Sequence, residues 1–264
     1  MPTSLEESVH AAELAIFARR RLSLNAAADA RLPGRFESFC IGELRANMAT
    51  ANQYEFLNTI EGVTDQSAHA LPDVIDRFQD PRRVTIVATF PSDNLIDRLR
   101  GEGYEPAPVR PIAFLRLGTD RNYILKSAAP WLISEVVTRR EKTLFMKLLD
   151  EGYSPSSEVG ALIRAEHALP AIRAFVAWFN GQPLAAAAMS FHSFTAVLGG
   201  ASTLSAARGT GAQTALIAHR ISLAADLGLS LATATAAPGS PSISNLTKMG
   251  FTIIERSAWR SSIE

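Results

Sequence analysis

The chain has 264 residues, 47% of them hydrophobic and 20% charged, with a formal net charge of zero. That length exceeds what one small core needs and predicts two modest domains or one large one. The balanced charge argues against a nucleic-acid partner, because neutralising phosphates takes a clustered basic surface. No apolar run approaches the roughly 18 residues of a membrane span, so no membrane partner is expected. The opening Met1-Pro2-Thr3-Ser4 and the acidic, amphipathic stretch behind it do not read as a secretory signal. One cysteine, Cys40, allows no intrachain disulfide, and a reducing cytoplasm is the expected location.

In chain order, the N-terminal stretch is helical in pattern, and its Arg19-Arg20-Arg21 run predicts a solvated helix face. Phe36–Ile41 reads as an apolar strand with Cys40 as a buried, inert thiol. Tyr54–Ile60 follows as a strand, Leu71–Phe78 as a helix, Arg83–Ala88 as a strand and Asp93–Arg100 as a helix. Gly103-Tyr104 opens another strand, and Ile112–Leu117 is a last one. The polar, turn-prone segment from Gly118 to Pro130 then marks a boundary. The expected division is residues 1–118, a linker at 119–129, and residues 130–264.

The second half is the more legible. Ala171–Phe179 and Leu184–Phe191 flank Asn180-Gly181, a two-residue turn whose central positions both need positive φ. A turn at His192-Ser193 leads to a third strand, Phe194–Leu204. It contains Gly199-Gly200, which marks a bulge or a close approach by backbone or ligand. After the loop Arg208-Gly-Thr-Gly-Ala-Gln213 comes an amphipathic helix carrying Leu216, Ile217, Ile221, Leu223, Ala224 and Leu227 on one face, with His219, Ser222 and Asp226 opposite. Arg220 falls in the apolar stripe and must snorkel or find a carboxylate. Gly228 caps the helix, Leu229–Ala236 is a buried strand, Ser242–Met249 a short helix, and Gly250-Phe251 opens a final strand. The order β-β-β-loop-α-β-α-β defines a mixed α/β fold of mostly antiparallel strands with helices on both faces. The first half repeats part of that order, but Gly62-Val-Thr-Asp-Gln66 stands where the second half has its glycine loop.

The loop has a direct physical reading. Two glycines one residue apart let backbone N–H groups turn inward. With the unpaired N–H groups of the next helix they make a donor cluster at its positive end, suited to a phosphate or pyrophosphate. A Walker A loop would need Lys and Ser or Thr after Gly211, where Ala212-Gln213 stand. A dinucleotide fingerprint would need a third glycine where Thr214 stands and an acid in Leu229–Ala236, which has none.

Arg208-Gly-Thr-Gly-Ala-Gln213 resembles the acyl-CoA signature of the GCN5-related N-acetyltransferases, Gln/Arg-x-x-Gly-x-Gly/Ala. The glycine-bearing strand before it, the helix after it and the closing Asn245-Leu-Thr-Lys-Met-Gly-Phe251 agree with that resemblance over about 130–264. It implies tandem halves with a degenerate first copy, and an N-acetyltransferase moving an acetyl group from acetyl-CoA to a small-molecule amine seated between the halves. Pyrophosphate would be held by Arg208 and the N–H groups of Gly209, Thr210, Gly211, Ala212, Gln213 and Thr214. The pantetheine arm would pair with the backbone of Ala201, Ser202 and Thr203, with Ser242 or Asn245 adding a polar contact. Many relatives place a Tyr general acid where this chain has Leu246, and the strand Phe194–Leu204 lacks the Glu that often serves as base, so acid and base are unassigned. A binder of acyl-CoA without catalysis is the alternative.

Among other candidates, His192 is expected as a solvated turn residue rather than a base, and Glu166-His167 as an exposed pair at a helix end. Trp131, Trp178 and Trp259 read as core. No spacing of His, Cys, Asp or Glu matches a metal site. A homodimer is compatible with the sequence, which does not define the oligomeric state.

Overall fold

The computed structural model describes residues 4–118 and 131–262; the segment expected as a linker, 119–129, lies outside the described residues. The chain forms two compact units, one of Met1–Arg19 with Ile112–Ile253 and the other of Arg20–Pro111 with Ile254–Glu264. These differ from the division at 118: Met1–Arg19 and the strand at Ile112–Arg116 go with the second half, and the last strand, Ser257–Ser261, goes with the first.

Helix α1 (Leu5–Asp29) begins with a reciprocal cap, the Ser4 hydroxyl accepting from the Glu7 N–H and the Glu7 carboxylate from the Ser4 N–H. Strands β1 (Phe36–Ile41) and β2 (Leu44–Ala49) form a hairpin, followed by β3 (Thr59–Glu61), α2 (Leu71–Ile75), β4 (Thr85–Ala88), α3 (Asp93–Gly101) and β5 (Tyr104–Pro106). The strand expected over Tyr54–Ile60 is mostly a 3-10 turn, Asn52–Leu57, in which Tyr54 and Leu57 turn into the core; only its end joins β3. β6 (Ile112–Arg116) leaves this unit. β7 (Leu132–Glu135), α4 (Arg139–Tyr153), α5 (Ser157–His167), β8 (Arg173–Phe179), β9 (Gln182–His192) and β10 (Thr195–Thr203) follow. After them come α6 (Ala212–Asp226), β11 (Leu231–Thr235), α7 (Pro241–Lys248), β12 (Thr252–Ile254) and β13 (Ser257–Ser261).

The sheets run β1-β2-β3-β4-β13-β5 and β7-β8-β9-β10-β11-β6-β12. Apart from β7 the two strand orders correspond one to one. In both, a parallel pair (β3 with β4, β10 with β11) is followed by an antiparallel strand from the other half of the sequence, β13 or β6. Mixed, mostly antiparallel sheets in tandem are the expected fold class.

Several sequence expectations give way here. Of the arginine run only Arg21 is exposed; Arg19 is buried against Glu166, and Arg20 pairs with Glu61 at 3.0 Å. Cys40 is exposed, because its strand neighbours Phe39 and Ile41 pack against the core and alternation turns position 40 the other way. Arg220 neither snorkels nor meets a carboxylate. It is fully buried and donates to the carbonyls of Leu216 and Ala188, and burial lowers its pKa to about 10. His219 is half-buried with its ring edge-on to Phe175 at 5.1 Å.

Candidate functional site

The loop after β10 is built from local rules. Gly209 and Gly211 have φ of +76° and +90°, where other residues are strained. A Cβ on either would meet no atom within 4 Å, so both face open space. Gly211 is the N-cap of α6, and the N–H groups from Gly209 to Thr214 donate to no acceptor among the described residues. Six backbone donors without a protein acceptor thus stand at the open start of a 15-residue helix, an arrangement chemically suited to an anion. Thr210 donates its hydroxyl to the Ala207 carbonyl, and Trp131 Nε1 donates to the Thr210 carbonyl at 3.2 Å, holding the loop from behind. Arg208 is exposed beside it, whereas the Ala212 methyl is in the core, leaving only its N–H to the site.

The strand leading into the loop is equally particular. β10 pairs with β11 only from Thr195 to Val197, while β11 runs on beside β6 to Thr235. From Leu198 to Thr203 the edge of β10 toward β11 has no strand partner among the described residues. Its register with β9 breaks between Gly199 and Ser202, where Gly200 takes φ of +55°. The break is a bulge, as Gly199-Gly200 suggested.

Gln213 ties strand to loop. Its side-chain amide donates to the Ser202 carbonyl at 2.7 Å and to Thr203 Oγ1 at 2.9 Å, so it serves as a brace. Ser202 sends its hydroxyl the other way, to the Leu148 carbonyl. Residues 201–203 and 208–214 are therefore brought together. Ser242 is exposed and Asn245 half-buried on α7, whose Ile243 and Leu246 pack with α6 in the core; no bond joins either side chain to the loop.

On the opposite face of the sheet from α6 lies a cluster the sequence reading missed. Arg19 donates to Glu166 Oε1 at 2.7 Å and to Ser190 Oγ at 2.9 Å, and Ser190 Oγ lies 2.9 Å from His192 Nε2. His192 is thus half-buried and tied into β9 rather than free in a turn. Glu166-His167 is not an exposed pair either. Glu166 is engaged by Arg19, and the His167 ring is buried against Phe145 and the bulge at Gly200. Burial lowers the pKa of His167, Glu166 opposes that and Arg19 reinforces it, leaving the ring neutral at physiological pH. No sequence signal points to this cluster except the paired glycines, which announce that something approaches β10. Among the described residues no group of His, Cys, Asp and Glu is placed to hold a metal ion, and no helix is long and apolar enough to cross a membrane.

Neither family profiles nor curated proteins give a match to this chain. Solved structures do. A GCN5-related N-acetyltransferase from Kribbella flavida aligns with a TM-score of 0.58 at 15% identity, covering 94% of this chain and 96% of that one. Another from Sphaerobacter thermophilus aligns at 0.56 and 14%, covering 84% and 78%. A conserved protein of unknown function from Staphylococcus epidermidis aligns at 0.54 and 13%, covering 90% and 98%. The chain has the fold of the GCN5-related N-acetyltransferases along nearly its whole length.

Proposed function

We propose that this chain is an N-acyltransferase that moves an acetyl group from acetyl-CoA to the amine of a small molecule in the cytoplasm. The observation that carries this reading is the coincidence of two features, joined through Gln213. One is a row of free backbone donors from Gly209 to Thr214; the other is an unpaired strand edge from Leu198 to Thr203. A pyrophosphate fits the first, with Arg208 adding charge. An extended pantetheine arm fits the second along Ala201, Ser202 and Thr203, with Ser242 or Asn245 as a further polar contact. The bound thioester supplies an activated acyl group. The protein's tasks are then to position the amine, to polarise the carbonyl by a strand N–H and to move a proton.

Calorimetric titration of acetyl-CoA into the wild type and into Gly211→Asp tests the reading. The substitution places a carboxylate where phosphate would sit, at a φ that disfavours any side chain. Binding by wild type and none by a folded variant is the expected outcome; no binding by wild type ends the proposal.

A second reading, an acyl-CoA binder without catalysis, is favoured by one observation. Leu246, at the position where many proteins of this kind carry a Tyr acid, is buried in the core. Thiol release with a panel of amines separates the two: release supports transfer, and binding without release supports the binder.

A further inference from the structure

The bulge of β10 is braced by a buried cation. Nη1 of Arg220 donates to the Ala188 carbonyl of β9 at 2.8 Å and reaches the Gly199 carbonyl of β10 at 3.5 Å, while Nε donates to the Leu216 carbonyl of its own helix at 3.0 Å. Ala188 and Gly199 are the last regular pair before the register between the two strands breaks. The guanidinium thus supplies donors to both strands where the ladder is interrupted. Its charge is left over. Arg220 is 2% exposed and has no carboxylate partner among the described residues. On the opposite face of the sheet, a Cβ at Gly199 would lie 3.8 Å from Arg19 Nη2 and one at Gly200 would lie 2.1 Å from His167 Nε2. Arg19 is paired with Glu166, and burial keeps His167 neutral. Tyr153 and His219 are the other titratable groups near Arg220; burial first and the arginine's charge second lower the pKa of His219. Around Gly199-Gly200 there are therefore two guanidiniums and one carboxylate, all in the unit that carries the glycine loop. One positive charge is uncompensated. Keeping a cation out of water without a counter-charge is costly, yet burial lowers the Arg220 pKa only to about 10, so it stays charged at physiological pH.

We propose that Arg220 is a positioning residue for acyl transfer: it fixes the β10 bulge and holds there the positive charge that stabilises CoA as it departs as a thiolate. The inference rests on the acyltransfer reading and assigns one part of its mechanism. On that reading the pantetheine arm runs from the loop back along Thr203, Ser202 and Ala201. Its thioester end then comes to the unpaired edge at Leu198–Gly200, beside the bulge. Arg220 touches neither thioester nor amine and acts through the strand between them. The amine nitrogen forms its bond to the acyl carbon, the C–S bond breaks with its electron pair on sulfur, and the proton from nitrogen passes to water. Negative charge gathers on sulfur only as that bond breaks. A cation fixed in the interior therefore favours the transition state over the bound thioester. Leu246 offers no proton to the sulfur, and a thiolate stabilised in this way needs none at that step.

The thiol of bound CoA reports this charge directly, without an acceptor amine. CoA is bound to the full chain, and its thiolate is followed by ultraviolet difference absorbance against desulfo-CoA at pH values below about 10, where Arg220 keeps its charge. Arg220→Gln retains a donor for the Ala188 carbonyl and removes the charge. Gln213→Ala loosens loop and strand and leaves the charge in place. On the wild type the thiol is expected to ionise at a lower pH than in free CoA. Its pKa should rise by about one unit or more in Arg220→Gln and stay at the wild-type value in Gln213→Ala. A thiol that ionises at a higher pH on the wild type than in free CoA overturns the proposal, whether or not the variants fold. So does an equal pKa in wild type and folded Arg220→Gln, or a shift as large in Gln213→Ala, which would report loosening instead of charge. Calorimetry on the same samples reads CoA binding separately. No binding by wild type ends the acyltransfer reading and this inference with it, whereas binding with an unmoved thiol defeats this inference alone.

Discussion

The imidazole of His167 occupies the space into which a side chain at Gly200 would project, with Nε2 2.1 Å from the position of that missing Cβ. Position 200 is therefore glycine for two reasons, its φ of +55° and its neighbour. Gly200→Ala is expected to destabilise the protein by about 2–4 kcal/mol, from the left-handed backbone and the overpacked contact together. In a His167→Ala background the overpacking part disappears and the cost drops by at least about 1 kcal/mol. Urea denaturation of the four proteins in this cycle measures it, and additive costs would mean that the contact is not rigid.

Gln213 braces the loop against β10 through bonds of 2.7 and 2.9 Å. Gln213→Ala should cost about 1 kcal/mol of stability. It should also weaken acetyl-CoA binding by about fivefold to tenfold, because loop and strand then order only on binding. Calorimetry in which the variant matches wild type would remove Gln213 from the site.

Glu61 is buried among Arg20, Arg256 and Arg45. Burial alone would raise its pKa, but attraction to the three guanidinium groups outweighs this and the net shift is downward. Glu61→Gln leaves buried cations uncompensated and is expected to cost about 3–5 kcal/mol. A depressed carboxylate contributes stability above its unfolded pKa and loses it as pH falls through the folded value. The wild type should therefore lose stability on acidification below the ordinary carboxylate range, with a shallower slope in Glu61→Gln. Chemical denaturation across that range is the check.

His167 gives a second pH signature at a higher window. Its folded pKa lies below the ordinary 6.5, so the unfolded chain takes up its proton first. Its contribution is complete above 6.5 and is lost as pH drops through the folded value. Stability curves between neutral and mildly acidic pH should slope in the wild type and flatten in His167→Gln. Identical slopes would show that the ring is not buried neutral.

The features legible in the sequence are those decided by a few neighbouring residues. Asn180-Gly181 forms its turn with φ of +49° and +75°, Gly209 and Gly211 adopt positive φ, and Gly228 ends α6 with Leu229 N–H bonded to the Ala224 carbonyl. The periodicity of α6 and the order of strands around it were equally readable, and with them the donor cluster. Arg19 and Glu166 lie 147 residues apart, and each by itself has the local pattern of a solvated helix residue. Nothing local distinguishes an arginine that will meet a carboxylate from one that stays in water. The exchange of β6 and β13, the burial of Arg220 against backbone carbonyls and the seating of His167 on Gly200 likewise depend on which distant segments the topology brings together. Backbone dihedrals and side-chain period are properties of short stretches, and the sequence by itself determined those. Burial, charge pairing and the assembly of a site are properties of long-range contacts, and only the tertiary structure decided them.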